Sequence, residues 1–239
     1  MRATDGPLDG VRLSLPHDRF TLPNGLEVIV APDSSAPDVA VRVRYHVGSR
    51  DDAEGREGTA HFVEHLTFVS VKGLPEDAVI PTLHQSGATE VNGLTSPDST
   101  DYVARVAPEA LERVLWIERQ RMHAALDAVT PAAFERERGV VRDEERLRAT
   151  PWYALLPRLA GQVVFPPSHP YARTMAADGA SLARIELERD ARAFYRRHYG
   201  PNHATLVLAG RLDRATGRAL AERWFGDLPP APPRAAEDF

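Results

Sequence analysis

The stretch Gly58 to Phe68, GTAHFVEHLTF, places His61, Glu64 and His65 in one short run. Residues four apart on a helix project from the same face, so the imidazoles of His61 and His65 form a two-nitrogen grip for a metal. Zinc suits that grip, because two imidazoles and one carboxylate leave a fourth tetrahedral position for a water that the ion acidifies. Glu64 reaches the open side of such an arrangement and has the chemistry of a general base. The bland alternative is a pair of helix histidines beside a core, with Glu64 on the solvated side, and the motif alone leaves it standing.

A third protein donor is needed. The chain has no cysteine, so the search falls on Asp, Glu and the other histidines. The stretch Thr130 to Arg148, TPAAFERERGVVRDEERLR, has helix grammar: Thr130 as N-cap, Pro131 at the first helical position, then good helix formers. Along it Phe134, Glu137, Val141 and Glu144 recur at helical spacing, so two acids share an inward stripe with two apolar residues. Arg136, Asp143 and Arg146 make the solvated face.

HFVEH followed by Glu144 in ERGVVRDE resembles the M16 family of zinc peptidases, which includes pitrilysin, insulin-degrading enzyme and the mitochondrial processing peptidase. Its HxxEH order reverses the common HExxH and is the inverzincin pattern. LPNGLEVIVAPD (Leu22 to Asp33), VGSRDDAEGREGTAHFVEH (Val47 to His65), VNGLTSPDSTDY (Val91 to Tyr102), HPYARTM (His169 to Met175) and FYRRHYGPNHATLVLAG (Phe194 to Gly210) look like further family landmarks in the usual order. The resemblance implies that His61, His65 and Glu144 bind Zn2+, that Glu64 activates water, and that Glu137 is the auxiliary acid of a metalloendopeptidase. It also implies that the edge strand carrying Asn92 and Gly93 pairs with substrate backbone. Gly93 stands where the family usually has Ala; it keeps room for that approach and loosens the strand.

The elements that must position these groups are legible in part. Leu26 to Ala31 reads as a strand after an Asn24-Gly25 turn. Val39, Val41, Val43, Tyr45 and Val47 alternate with Ala40, Arg42, Arg44 and His46, the mark of a half-buried strand. A short helix over Leu74 to Ser86, a strand over Asp101 to Ala107, and a long helix opened by Pro108 follow. In that helix Leu111, Val114, Leu115, Met122 and Leu126 form the core stripe, and Trp116 is read as packing. Ser181 is read as capping a helix that carries Leu182, Ile185 and Phe194 and ends at Gly200. Ala204 to Gly210 is a buried strand, and Asp213 begins a last helix ending near Gly226. His46, His84, His123, His198 and His203 are read as solvated or sheet-face residues, His17 as surface, and His169 as loop packing.

The mixed order of strands and helices predicts an α+β fold, a mainly antiparallel or mixed sheet with helices packed on one face. The resemblance sharpens this to the metallohydrolase roll shared by LuxS and the mitochondrial processing peptidase; LuxS itself uses a cysteine ligand that this chain lacks. Residues 1–228 are expected to form the catalytic domain and the Pro-rich residues 229–239 a linker or tail. With 239 residues, 43% apolar content and a net charge of -5, the composition is ordinary and argues against a nucleic-acid surface. No apolar run is long enough to span a membrane, so a cytoplasmic location is expected. The resemblance implies short or unfolded peptides as substrate and a second M16-type half, supplied in cis, by a partner subunit or by a second copy. A noncatalytic M16-like subunit that binds peptides or scaffolds a partner is the rival expectation.

Overall fold

Valines at alternate positions build the centre of the sheet. In the computed structural model, which describes residues 15–149, 163–166, 169–172 and 179–234, Val39, Val41, Val43 and Tyr45 are at most 2% exposed, while the residues between them face outward. Burying each such side chain stabilises the fold by about 1.5–3 kcal/mol. The strands are β1 (Asp18–Thr21), β2 (Glu27–Pro32), β3 (Val39–Tyr45), β4 (Thr89–Thr95), β5 (Thr100–Val106) and β6 (Ala204–Gly210). They join in the order β1-β2-β6-β3-β5-β4, with β2 and β6 parallel and every other pair antiparallel. β4 is therefore an edge strand.

The sheet has one wet face and one dry face. On the wet face Arg42 and Arg44 both donate to Asp101 Oδ1, at 2.8 and 2.9 Å. On the dry face lie α1 (Thr59–Val69), α2 (Val79–Gln85), α3 (Leu111–Ala124) and, beyond α4 (Pro131–Ala149), α5 (Gly179–Arg184) and α6 (Ala193–His198), the closing helix α7 (Arg214–Phe225). α3 touches β3 and β5, α7 touches β2, and α1 touches β4 and β5, whereas α4 packs chiefly on α1. This is the expected α+β arrangement, and it sets α4 outside α1 as a second layer.

Local sequence accounts for the helix starts. Thr130 Oγ1 accepts from Ala133 N at 3.1 Å, and Asp213 Oδ1 accepts from Thr216 N at 2.8 Å, so both act as N-caps. The stripe of Leu111, Val114, Leu115, Met122 and Leu126 is buried, although Pro108 opens a 3-10 turn that precedes α3. Trp116 packs against the core, as read.

The helix expected from Ser181 through Phe194 is instead broken. Ser181 lies inside α5, the backbone extends at Glu186, and a π turn over Leu187–Arg192 leads into α6. Two side chains cause the break. Arg138 donates to the carbonyl oxygens of Leu182 and Ile185, ending α5, and Asp190 Oδ2 accepts from Glu186 N at 2.8 Å, starting the next turn.

The described part of the Pro-rich tail lies against the body. Ala231 exchanges two hydrogen bonds with the Asn202 side chain, at 2.8 and 3.0 Å, and Arg234 pairs with Asp51. Trp152, Tyr153, residues 173–175 and residues 235–239 lie outside the described residues.

Candidate metal centre

α1 begins at Gly58, whose φ of +92° lies in the left-handed region that favours glycine. Glycine has no side chain to cap the helix, and the function passes to Asp52. Its two oxygens accept from Gly58 N at 2.7 Å and Ala60 N at 2.8 Å. Burial pushes the Asp52 carboxyl up to about 7 despite those two N–H bonds.

Aromatic and cationic contacts then lock α4 onto α1. The rings of Phe62 and Phe134 stack with centroids 4.8 Å apart, and the Arg138 guanidinium lies 4.8 Å from the Phe134 ring and 5.7 Å from that of Phe62. Beneath α1, the Thr67 hydroxyl donates to the Glu64 carbonyl at 2.8 Å and sits 3.0 Å from the Tyr102 hydroxyl. Arg121, 1% exposed and paired with Glu118, lies 4.2 Å from the Tyr102 ring. The helix that carries the two histidines is thus fixed from above by α4 and from below by the sheet.

The outcome is a tight donor set. One ligand atom each from His61, His65 and Glu144 lie within 4.8 Å of one another. Glu144 Oε2 is 3.1 Å from His65 Nε2 and 3.6 Å from His61 Nε2. A tetrahedral ion with bonds of about 2.0–2.1 Å needs donor atoms about 3.3 Å apart, and those two distances bracket that figure. The two edges to Glu144 thus suit a small divalent cation of zinc type, and the edge between the imidazoles lies within 4.8 Å. Burial lowers the His65 pKa, but the hydrogen bond to Glu137 and the charges of Glu64, Glu144 and Glu137 outweigh it, and the net shift is upward. An environment that favours an imidazolium favours any cation in its place.

Glu137 takes no part in the trio. Its Oε2 lies 3.3 Å from His65 Nδ1, the nitrogen turned away from the other donors. Glu64 is 7% exposed and its Oε2 accepts from Thr95 Oγ1 at 2.6 Å. Gly93 is close by: a Cβ there would stand 2.4 Å from Glu64 Oε1. The missing side chain of Gly93 is thus filled by the Glu64 carboxylate, a closer reason for glycine than room for a peptide. Asn92 points to the exposed face of β4 and its Oδ1 accepts from Gly93 N at 3.0 Å. Asn92, Gly93, Glu64, both histidines and Glu144 line one cleft of about 690 Å³.

Three residues of this neighbourhood escaped sequence reasoning. Asp52 lies too far before α1 for the N-cap rule to find it. Thr95 shares a strand face with Gly93, a signal that alternation offers once Gly93 is singled out. Glu145 Oε1 lies 3.6 Å from His61 Nδ1, and its position one turn after Val141 puts it on the inward stripe.

The other histidines are elsewhere. His46 Nε2 meets Thr205 Oγ1 at 3.0 Å on the wet face, and His84 Nδ1 meets the Ala88 carbonyl at 3.3 Å. His169 stacks on Phe165 with centroids 4.6 Å apart. His198 and His203 are not solvated: they are 7% and 6% exposed.

An α+β roll that gathers two imidazoles, a carboxylate and a neighbouring glutamate beside an open strand edge is of metallohydrolase type. The chain belongs to peptidase family M16: the family signature described as Insulinase (Peptidase family M16) matches residues 27–155, and that of the Peptidase M16 inactive domain matches residues 188–238. The chain is 33% identical over 89% of its length to Coenzyme PQQ synthesis protein F of Pseudomonas aeruginosa, of which it covers 28%. It is 28% identical over 89% of its length to Zinc protease PqqE of Helicobacter pylori, covering 47% of that protein. A crystal structure of a protease from Helicobacter pylori superposes with a TM-score of 0.85 at 26% identity, covering 93% of this chain and 53% of the other. The chain thus spans about half or less of the length of these curated relatives. No described helix is long and apolar enough to cross a membrane.

Proposed function

We propose that this chain is the zinc-binding half of an M16-type metallopeptidase that hydrolyses peptide bonds in short or unfolded peptides. The observation that carries the reading is the convergence of His61, His65 and Glu144 in a geometry fit for one zinc-type ion, with Glu64 in the same cleft. Zinc held by those three residues supplies a Lewis acid for the scissile carbonyl oxygen and lowers the pKa of water at its open position. Glu64 takes the proton of the attacking water and delivers it to the leaving amine. Thr95 holds one oxygen of that Glu64 carboxylate by a hydrogen bond and so orients it. Glu137, against His65 Nδ1, fixes that ring.

Substrate is held as an added strand. β4 pairs with β5 on one side only, and its other edge opens on the cleft, so an extended peptide gains backbone hydrogen bonds there with Asn92 beside it. A second M16-type half, in cis, as a partner subunit or as a second copy, closes the cleft; the limited coverage of the relatives supports this part. The test is Glu64→Gln. It abolishes peptide hydrolysis while leaving about one zinc bound per chain, as a single three-ligand site requires; hydrolysis that survives the change removes Glu64 from the mechanism.

A further inference from the structure

We infer that Glu145 is a positioning residue for the metal site, holding the His61 ring by its Nδ1 so that Nε2 faces the ion. This rests on the reading of His61 as a ligand proposed above. A ligating imidazole that presents Nε2 carries its proton on Nδ1, and a buried N–H requires an acceptor. The His61 side chain is 9% exposed and that of Glu145 is 11% exposed, with Nδ1 and Oε1 3.6 Å apart. Solvent is therefore a poor partner for that nitrogen, and the carboxylate is the group at hand.

The arrangement mirrors the one at the other ring. His65 has Glu137 at 3.3 Å from its Nδ1, and both rings turn Nε2 towards Glu144 Oε2. The pairing is crossed: the later histidine of α1 meets the earlier acid of α4, and the earlier histidine meets the later acid. Consecutive residues on a helix diverge by about 100°. The adjacent Glu144 and Glu145 can thus serve the inner and outer nitrogens of the same imidazole. Each ring then has its own carboxylate behind it, Glu137 within hydrogen-bond distance of His65 Nδ1 and Glu145 at ion-pair distance from His61 Nδ1, while Glu144 approaches both Nε2 atoms.

The experiment measures zinc affinity of the full chain by competition with a chromophoric chelator, together with the Co(II) absorption spectrum and the melting temperature of the metal-free protein. Glu145→Ala weakens zinc binding about 10- to 100-fold and alters the Co(II) bands, while the metal-free melting temperature barely moves. Glu145→Gln, which keeps an oxygen acceptor without the charge, falls between Ala and wild type, and it decides the matter if Glu145→Ala does not fold. Affinity within about twofold of wild type and an unchanged Co(II) spectrum in the folded variant overturn the inference, since supporting carboxylates ordinarily contribute more than that. A wild-type chain that takes up no zinc overturns this inference and the metal-site reading together; wild-type uptake with an indifferent variant overturns this inference alone.

Discussion

Two pairs of histidines, buried but for a half-buried His65, behave in opposite ways. His61 and His198 are each 7% exposed, yet His61 and His65 are surrounded by Glu64, Glu137, Glu144 and Glu145, whereas His198 and His203 sit near Arg234 and Arg197. The His65 pKa is raised against the pull of burial. That of His198 is driven down to about 3 by burial, with Arg234, Arg197 and His203 adding to it. Among the described residues, neither His198 Nδ1 nor His203 Nδ1 has a hydrogen-bond partner, so these rings are neutral packing groups. Residue type and burial do not make a metal site. What distinguishes the first pair is the acid stripe that α4 lays across it.

The largest effect expected from that difference is on metal content. Glu144→Ala removes the donor that both Nε2 atoms approach, at 3.1 and 3.6 Å, and leaves two imidazoles alone. Zinc measured after dialysis falls from about one ion per chain to a trace, because structural and catalytic zinc sites use at least three protein ligands. His203→Ala, made at a buried histidine outside the acid stripe, keeps the full zinc content and loses stability instead. Zinc retained in the first variant, or lost in the second, would erase the distinction between the pairs.

A smaller effect is expected one residue pair further out. Thr95→Val deletes the 2.6 Å hydrogen bond to Glu64 without touching the three donors. A hydrogen bond to a charged group contributes about 1.5–3 kcal/mol, so kcat for peptide hydrolysis falls about 10- to 150-fold, with zinc affinity unchanged. Equal kcat in the two proteins would show that packing against Gly93 alone orients Glu64.

The acid stripe was legible in the sequence, and its partners were legible only in part. Helical period placed Glu137 and Glu144 in line with Phe134 and Val141, because contacts one turn apart are local. Glu145 was overlooked because a helix stripe is wider than one residue per turn, so that both members of an adjacent pair reach inward. Asp52 and Thr95 act across loops and between strand and helix, where spacing along the chain carries no distance information. The same limit explains the broken α5–α6 segment: the arginine that ends α5 belongs to α4, a helix distant in sequence. The parallel β2–β6 pair was equally hidden, since its strands are joined through almost the whole fold. The burial of His198 and His203, read as solvated or sheet-face residues, was hidden as well, because residue polarity carries no record of tertiary contacts.

The gentlest test of the comparison is titration. His198 has a folded-state pKa of about 3 against an ordinary value of 6.5. The folded protein thus binds fewer protons than the unfolded chain at any pH between the two. Stability from keeping this ring neutral is fully present above about pH 6.5 and is lost progressively as the pH falls towards 3. Asp52 works in the other direction: its folded pKa of about 7 lies above the ordinary 3.8, so its contribution is greatest below pH 3.8 and declines as the pH rises through 7. The two slopes oppose each other in metal-free protein, and replacing one exposes the other. His198→Gln should flatten the acid loss, raising the melting temperature at pH 5 relative to wild type by more than it does at pH 8. Equal shifts at both pH values would mean that the ring is protonated at little cost in the folded state.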